Sequence, residues 1–329
     1  MARRNSGQGG ISVDRFSVVL VAVAATLWAS DQYFRPQLLK HLTAPEIVVA
    51  EDALVTFFLL PVLIRNRHEF AQLGRRGWLA VFVIAAGAQA LATILFTTSL
   101  SYYVFAETFV LQQTQPLIAI ALAWIVLGER RRPWFWPAAA VAFVAVYMVV
   151  FANKPLEPLS ALQHGRLEAG LFALGAAALW AGGTVLGRYA LRSISFWSMT
   201  SLRFTVALPV LIVIVMYKSG AAGFTHYQVG DFANLLAIAL VPGLLALLLY
   251  YRALSKTPAS LATIAEMAFP VTATFIASAP PPWGFSQPVY GVQLVGTALL
   301  IGVILVLNWS KEKAPPVVVA APKLKPVEG

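Results

Sequence analysis

The chain has no cysteine, so disulfides, thiol catalysis and thiolate metal sites are excluded. It has little charge, 12% of its 329 residues, where a soluble domain carries about a quarter. The shortage is deeper on the acidic side, with 14 Asp and Glu against 24 Lys and Arg. The four histidines, His41, His68, His164 and His226, stand far apart between apolar runs, a poor pattern for zinc. No glycine-rich loop ends in Lys-Ser or Lys-Thr, so direct ATP hydrolysis is not supported. No set of side chains converges as a catalytic centre would, and neither an enzyme nor a cofactor is expected. Ahead of the first apolar run, MARRNSGQGGISVDRF carries no small-residue cleavage site. Residues 1–15 are expected to form a cytoplasmic tail leading into a retained helix.

What the chain has in abundance is hydrophobic sequence, 59% of residues, with a mean hydropathy of +0.75. It comes in runs of about 20 residues, each long enough to cross about 30 Å of hydrocarbon. A soluble protein with buried core helices would explain one such run, but not ten. Spans are expected at 16–35, 46–64, 78–98, 103–127, 134–152, 168–187, 196–217, 232–251, 258–279 and 289–308. Trp78, Trp134, Trp136, Trp197, Trp283 and Trp309 gather near their ends, at the level where an apolar ring and a polar N–H are both satisfied. The expected fold class is an all-α integral membrane protein.

A net charge of +10 would point a soluble chain toward nucleic acid. Here the basic residues fall between spans, so membrane lipid is the expected partner and nucleic acid is not. With the N-terminus inside, Arg3, Arg4, Arg15, Arg65, Arg67, Arg75, Arg76, Arg130, Arg131, Arg132, Arg188, Arg192, Arg252, Lys256 and the lysines of the tail face the cytoplasm. Arg35, Lys40, Lys154, Arg166 and Lys218 face outward. That asymmetry predicts a multi-pass protein of the inner (cytoplasmic) membrane with both termini cytoplasmic.

The chain also repeats itself. Pro116 in QQTQPLIAIAL matches Pro270 in TIAEMAFPVTATF, and Trp28 in ATLWASDQYF matches Trp180 in AALWAGGTVL. Each half holds five apolar segments, and an odd number of spans inserts the second copy upside down. The loop charges follow that inversion. TTSLSYY has no basic residue, whereas its counterpart YRALSKT has two; GERRRPW is basic, whereas its counterpart SAPPPWG is uncharged. The expected organisation is a first repeat at 16–152, an external linker at 153–167, a second repeat at 168–308, and a proline-rich disordered cytoplasmic tail at 309–329. Small-residue stretches around Gly182, Gly183 and Gly187, and at Gly291, Gly296 and Gly302, read as close helix packing. Such faces serve packing within one chain or between two, so monomer and dimer stay open.

Ionisable residues within spans are costly and face a cavity, a partner or a pathway. Glu266 lies deep in the ninth span, four residues before Pro270, and its match is Gln112, four residues before Pro116. A polar residue before the span proline in both copies suits a substrate cavity at the repeat interface; a structural pair between Glu266 and Arg203 is the rival reading. Glu51 and Arg203 hold equivalent positions in the second and seventh spans, where a salt bridge between them or separate roles both fit. Glu51 and Asp52 also fit the outer headgroup level. Glu107, at the outer end of the fourth span, makes an unusually polar stretch with Gln112, Gln113 and Gln115. Trp28 and Trp180 fit either packing or the cavity wall. The candidate cavity residues are Trp28, Glu51, Glu107, Gln112, Trp180, Arg203 and Glu266.

LWASDQY, LWAGGTV, SLRF around Arg203 and PLIAIALAWIVLGER from Pro116 to Arg130, with AVYMVV and GVILVL closing the halves, resemble the EamA group of the drug/metabolite transporter superfamily. The resemblance spans about residues 16–308. It implies ten helices in two inverted five-helix repeats around a central cavity, lined by the first four helices of each half and supported by the fifth. Relatives export amino acids, other metabolites or toxic compounds, and distant ones carry sugar phosphates. Two departures stand out. Glu51 replaces the usual arginine of the second span, and Pro280-Pro281-Pro282 replaces a second Gly-Glu-Arg ending.

The expectation is therefore a secondary transporter working by alternating access on a small-molecule substrate, with Glu266 as a proton-responsive group or as the anchor for a substrate amine. The excess of acids over bases within spans favours export of an amino acid or amine. The alternatives are a facilitative channel, which wants a continuous polar stripe, and a non-transporting membrane receptor.

Overall fold

The computed structural model describes residues 16–102, 112, 114–152, 167–281, 286 and 288–309. Glu107 and Gln113, the 1–15 tail, 153–166 of the linker and residues 310–329 lie outside the described residues. All regular structure among the described residues is helical. Eight helices are long and apolar enough to cross a membrane: α1 Ser17–Leu38, α2 Ala44–Arg65, α3 Arg75–Ser101, α6 Glu168–Ala190, α7 Phe196–Ser219, α8 Asp231–Leu254, α9 Ala259–Ser278 and α10 Gly291–Trp309. Two shorter apolar helices, α4 Gln115–Leu127 and α5 Phe135–Val150, lie between α3 and α6. Large apolar side chains such as Phe57, Ile64, Ile125 and Met216 remain exposed, as they do where lipid replaces water. The molecule is an all-α, multi-pass membrane protein.

Several helices overrun the apolar runs that announce them, because caps and not hydropathy set their ends. α2 starts at Ala44 since Thr43 and Glu46 form a capping box, with the Thr43 amide donating to Glu46 Oε2 at 2.8 Å; two otherwise orphaned donors are satisfied there. Ser195 Oγ accepts from the Ser198 amide at the start of α7. α4 stops at Gly128, whose φ of 67° is the left-handed conformation that only glycine adopts without cost. The next amide, of Glu129, turns back onto the Ala123 carbonyl at 3.1 Å, satisfying one of the helix's last acceptors.

Packing pairs elements across the two halves. α1 lies against α8, α9 and α10, while α6 lies against α3 and α4; α2 packs on α7, and α5 on α10. Three glycines allow such close approaches, two of them across the halves and one, Gly187, within the second half. A Cβ on Gly183 would sit 2.5 Å from Ala88 Cβ, one on Gly187 2.9 Å from the Tyr251 ring, and one on Gly296 2.6 Å from the Ala145 carbonyl oxygen. Gly182, Gly291 and Gly302 have nothing within 4 Å, so the close packing expected of them is absent.

The helices are broken where the polar residues lie. In α9 the regular helix stops after Ala265 and resumes at Ala268. Pro270 has no N–H for the Glu266 carbonyl four residues earlier, and its ring crowds that carbonyl. Phe269 N takes the bond instead at 2.9 Å, a tighter turn that leaves Glu266 at a break. Pro116 stands in the same relation to Gln112. α3 and α8 carry wider π-helical turns at Ile84–Leu91 and Ala239–Leu245, a form that frequently accompanies functional sites.

Candidate functional site

Between these irregular segments lies a cavity with about 1120 Å³ of empty space including its mouth, lined from α1, α2, α3, α6, α7, α8, α9 and the start of α4. α5 and α10, packed on each other, contribute nothing to its wall. Six of the seven sequence candidates meet here: Trp28, Glu51, Gln112, Trp180, Arg203 and Glu266. The seventh, Glu107, lies outside the described residues. Pro116 and Pro270 line it as well.

The aromatic wall is built crosswise. Trp28 of α1 packs on Tyr250 of α8 with ring centroids 5.0 Å apart, and Trp180 of α6 packs on Phe96 of α3 at 5.2 Å. Each repeated tryptophan thus meets an aromatic from the other half. Tilted pairs at this separation are favourable arrangements for ring quadrupoles.

Glu266 is well partnered. Tyr250 Oη donates to Glu266 Oε1 at 2.7 Å, Gln115 Nε2 donates to Oε2 at 2.8 Å, and Thr184 Oγ1 lies 3.5 Å from Oε1. These bonds hold the carboxylate, and not the pairing with Arg203 that was the rival reading. Gln112 is buried on the same wall, and its Oε1 has no hydrogen-bond partner among the described residues.

Of the two readings open for Glu51 and Arg203, the direct salt bridge is not the one formed. Glu51 Oε2 binds Arg35 Nη2 at 2.8 Å, not Arg203. Arg35 also pairs with Asp31, one turn before it, and Arg35 is buried where an outward-facing surface residue was expected. One guanidinium serves two carboxylates here, and removing one member of such a buried set strands the others, at a typical cost of about 3–5 kcal/mol. Asp52 is 0% exposed, so its carboxyl is enclosed by protein and not presented to headgroups. Its Oδ1 accepts from Gln89 Nε2 at 2.9 Å. Arg203 donates from Nε to Gln89 Oε1 at 2.6 Å, from Nη1 to Tyr251 Oη at 3.0 Å and from Nη2 to the Ala88 carbonyl at 3.3 Å.

Gln89, Tyr250, Thr184 and Arg35 are site residues that sequence reasoning missed. Gln89 had a visible signal, a lone amide in the middle of an apolar run. Tyr250 and Thr184 had none, because tyrosine and threonine inside spans are ordinary.

The sequence profile of the EamA-like transporter family matches residues 15–151 and again 168–309. A protein named riboflavin transporter ImpX, from Fusobacterium nucleatum subsp. nucleatum, is 30% identical over 261 residues, which cover 77% of this chain and 86% of that protein. A solved crystal structure of another protein superposes with a TM-score of 0.68 over 91% of this chain and 98% of its own at 16% identity; at that identity the likeness concerns the fold alone. With the profile matched on both halves, the chain belongs to the EamA-like transporter family.

Proposed function

We propose that this chain is a secondary transporter that carries riboflavin, or a planar aromatic metabolite of that kind, across the cytoplasmic membrane by alternating access. The observation that carries this reading is the crosswise pair of aromatic walls, Trp28 with Tyr250 and Trp180 with Phe96, on one cavity. A flat tricyclic ring stacks on such surfaces. Its imide edge has an N–H donor, and the buried Gln112 Oε1 is an acceptor in want of one. The relative named as a riboflavin transporter, 30% identical over most of both chains, supports the same class. An amino acid or amine fits less well than the sequence suggests, since both Glu266 oxygens already accept hydrogen bonds. Glu266 in this reading orients Tyr250 and Gln115 toward the ligand. Net direction follows the gradient and is not fixed as export.

We read the architecture as two inverted five-helix repeats, 16–152 and 168–308, with both termini cytoplasmic. Support comes from the packing, in which exchanging each helix for the one five places away converts α1 on α8 and α9 into α6 on α3 and α4. The two profile matches and the reversed loop charges support it too. Rocking of one set of helices against the other would then expose the cavity to alternate sides.

The test is riboflavin counterflow in proteoliposomes with the full-length chain. Saturable exchange competed by unlabelled riboflavin is expected, reduced at least tenfold in Trp28→Ala and Glu266→Gln proteins that remain monodisperse. Flux that never saturates would favour the channel, and binding without flux the receptor. Neither flux nor binding would remove riboflavin as the substrate.

A further inference from the structure

Asp52 is a carboxylate that the proposed transport path does not use. It is fully buried in α2, behind the cavity wall. One oxygen, Oδ1, accepts a hydrogen bond from Gln89; the other, Oδ2, is buried with no partner among the described residues. Thr56, one helical turn further along the same face, also has a buried hydroxyl without a partner. An ionised carboxylate served by one neutral amide is a costly thing to bury. A carboxyl group carrying a proton on Oδ2 is less costly, since it is uncharged.

The charged groups that act on Asp52 are Glu51 beside it in α2, Arg35 from α1 and Arg203 from α7. Asp31 is tied to Arg35, and Gln89 comes from α3 and Tyr251 from α8. With Asp52 neutral, the carboxylates of Asp31 and Glu51 balance the guanidinium groups of Arg35 and Arg203. A metal ion is a poorer occupant. Hard cations such as Ca²⁺ and Mg²⁺ take about six or more oxygen ligands, and this face of α2 has two unpartnered oxygens.

We propose that Asp52 is a proton-binding site and that Gln89 relays its charge to the cavity. Arg203 has only donors, so Gln89 must turn its oxygen to Arg203 and its NH₂ to Asp52. When Asp52 releases its proton, the new negative charge polarises the Gln89 amide and strengthens its hold on Arg203, a lining residue of the cavity. The proton moves between Asp52 Oδ2 and water reached when α2 and α7 rearrange, with no other bond made or broken. This rests on the transport reading only for its coupling to substrate, not for the protonation itself.

Infrared difference spectroscopy of the full-length protein in lipid tests the site without any substrate. Near neutral pH the wild type should show the carbonyl stretch of a protonated carboxyl, shifted by D₂O and lost in Asp52→Asn. Should Asn fail to fold, Asp52→Glu should displace the band. A wild type without such a band, or a band unchanged by both substitutions, overturns the proposal. In liposomes, riboflavin counterflow should vary with pH over the range where the band bleaches, and that dependence should vanish in Asp52→Asn. A variant that keeps the wild-type pH profile overturns the relay. Absence of counterflow in the wild type overturns the substrate assignment and leaves the infrared result to decide on Asp52.

Discussion

Gln89 stands between two buried ionisable side chains, its oxygen 2.6 Å from Arg203 Nε and its nitrogen 2.9 Å from Asp52. Leucine at this position would fill a similar volume, take from Asp52 its hydrogen bond and leave Arg203 only those to Tyr251 and the Ala88 carbonyl. Leaving a buried polar group unsatisfied costs about 1–3 kcal/mol, more for a charged one. Gln89→Leu is therefore expected to lower the thermal unfolding temperature in detergent by more than Thr93→Val, which changes a cavity-wall hydroxyl without stranding a charge; equal shifts would refute the bridging role. The same residue explains where reading the sequence stops short. Glu51, Arg203, Gln112 and Glu266 stand out because charge or repetition marks them, and they do line one cavity. Which of them touch was not legible. The pairing of Glu51 with Arg35 depends on how far α1 continues past Ser30, and the 16–35 reading places Arg35 at the surface. Asp52 next to Glu51 looks like a headgroup-level residue until the tilt and rotation of α2 are known, and those come from packing against α7.

At the scale of elements, the ninth helix depends on a residue from outside it. Glu129, just past the left-handed end of α4, accepts from the Ala259 amide at 2.9 Å, the Ser260 amide at 3.1 Å and Ser260 Oγ at 2.7 Å. A carboxylate there satisfies the free amides of the helix start and opposes the positive end of its dipole. Glu129→Ala should cost about 1–3 kcal/mol and speed hydrogen exchange at the first amides of α9, with Gln partly restoring protection. Exchange confined to the α4 end would contradict the cap. The Gly128-Glu129-Arg130 ending is plain in the sequence, but its partner is not, because the contact joins segments 130 residues apart. The eight long apolar helices were legible from hydropathy. Their breaks were half legible: Pro270 announces the irregularity at Glu266, whereas the π-turn at Ile84–Leu91 contains no proline and leaves no local mark.

The whole molecule is held by contacts between its halves, and not all of them lie among the spans. Between α2 and α3, Glu69 reaches across to the start of α7, where its Oε2 accepts from the Ser195 amide at 2.7 Å. Nearby, Asn66 Nδ2 donates to Ser198 Oγ at 3.2 Å. Burial pushes the Glu69 carboxyl up, but the Ser195 amide and the Ser198 and Ser195 hydroxyls outweigh it, leaving the group below the ordinary value of 4.5. A carboxyl depressed in the folded state binds its proton more readily when unfolded, so its contribution is complete above the unfolded value. It is lost as the pH falls from about 4.5 through the depressed folded value. Glu69→Gln carries no such charge and should flatten the pH dependence of the unfolding temperature in that acidic window. Its slope above the window should match the wild type. Parallel melting curves for both proteins from neutral to acidic pH would mean that Glu69 does not clasp the halves through its charge. A variant that is less stable only at the higher pH, converging with the wild type in acid, is the result that this contact requires.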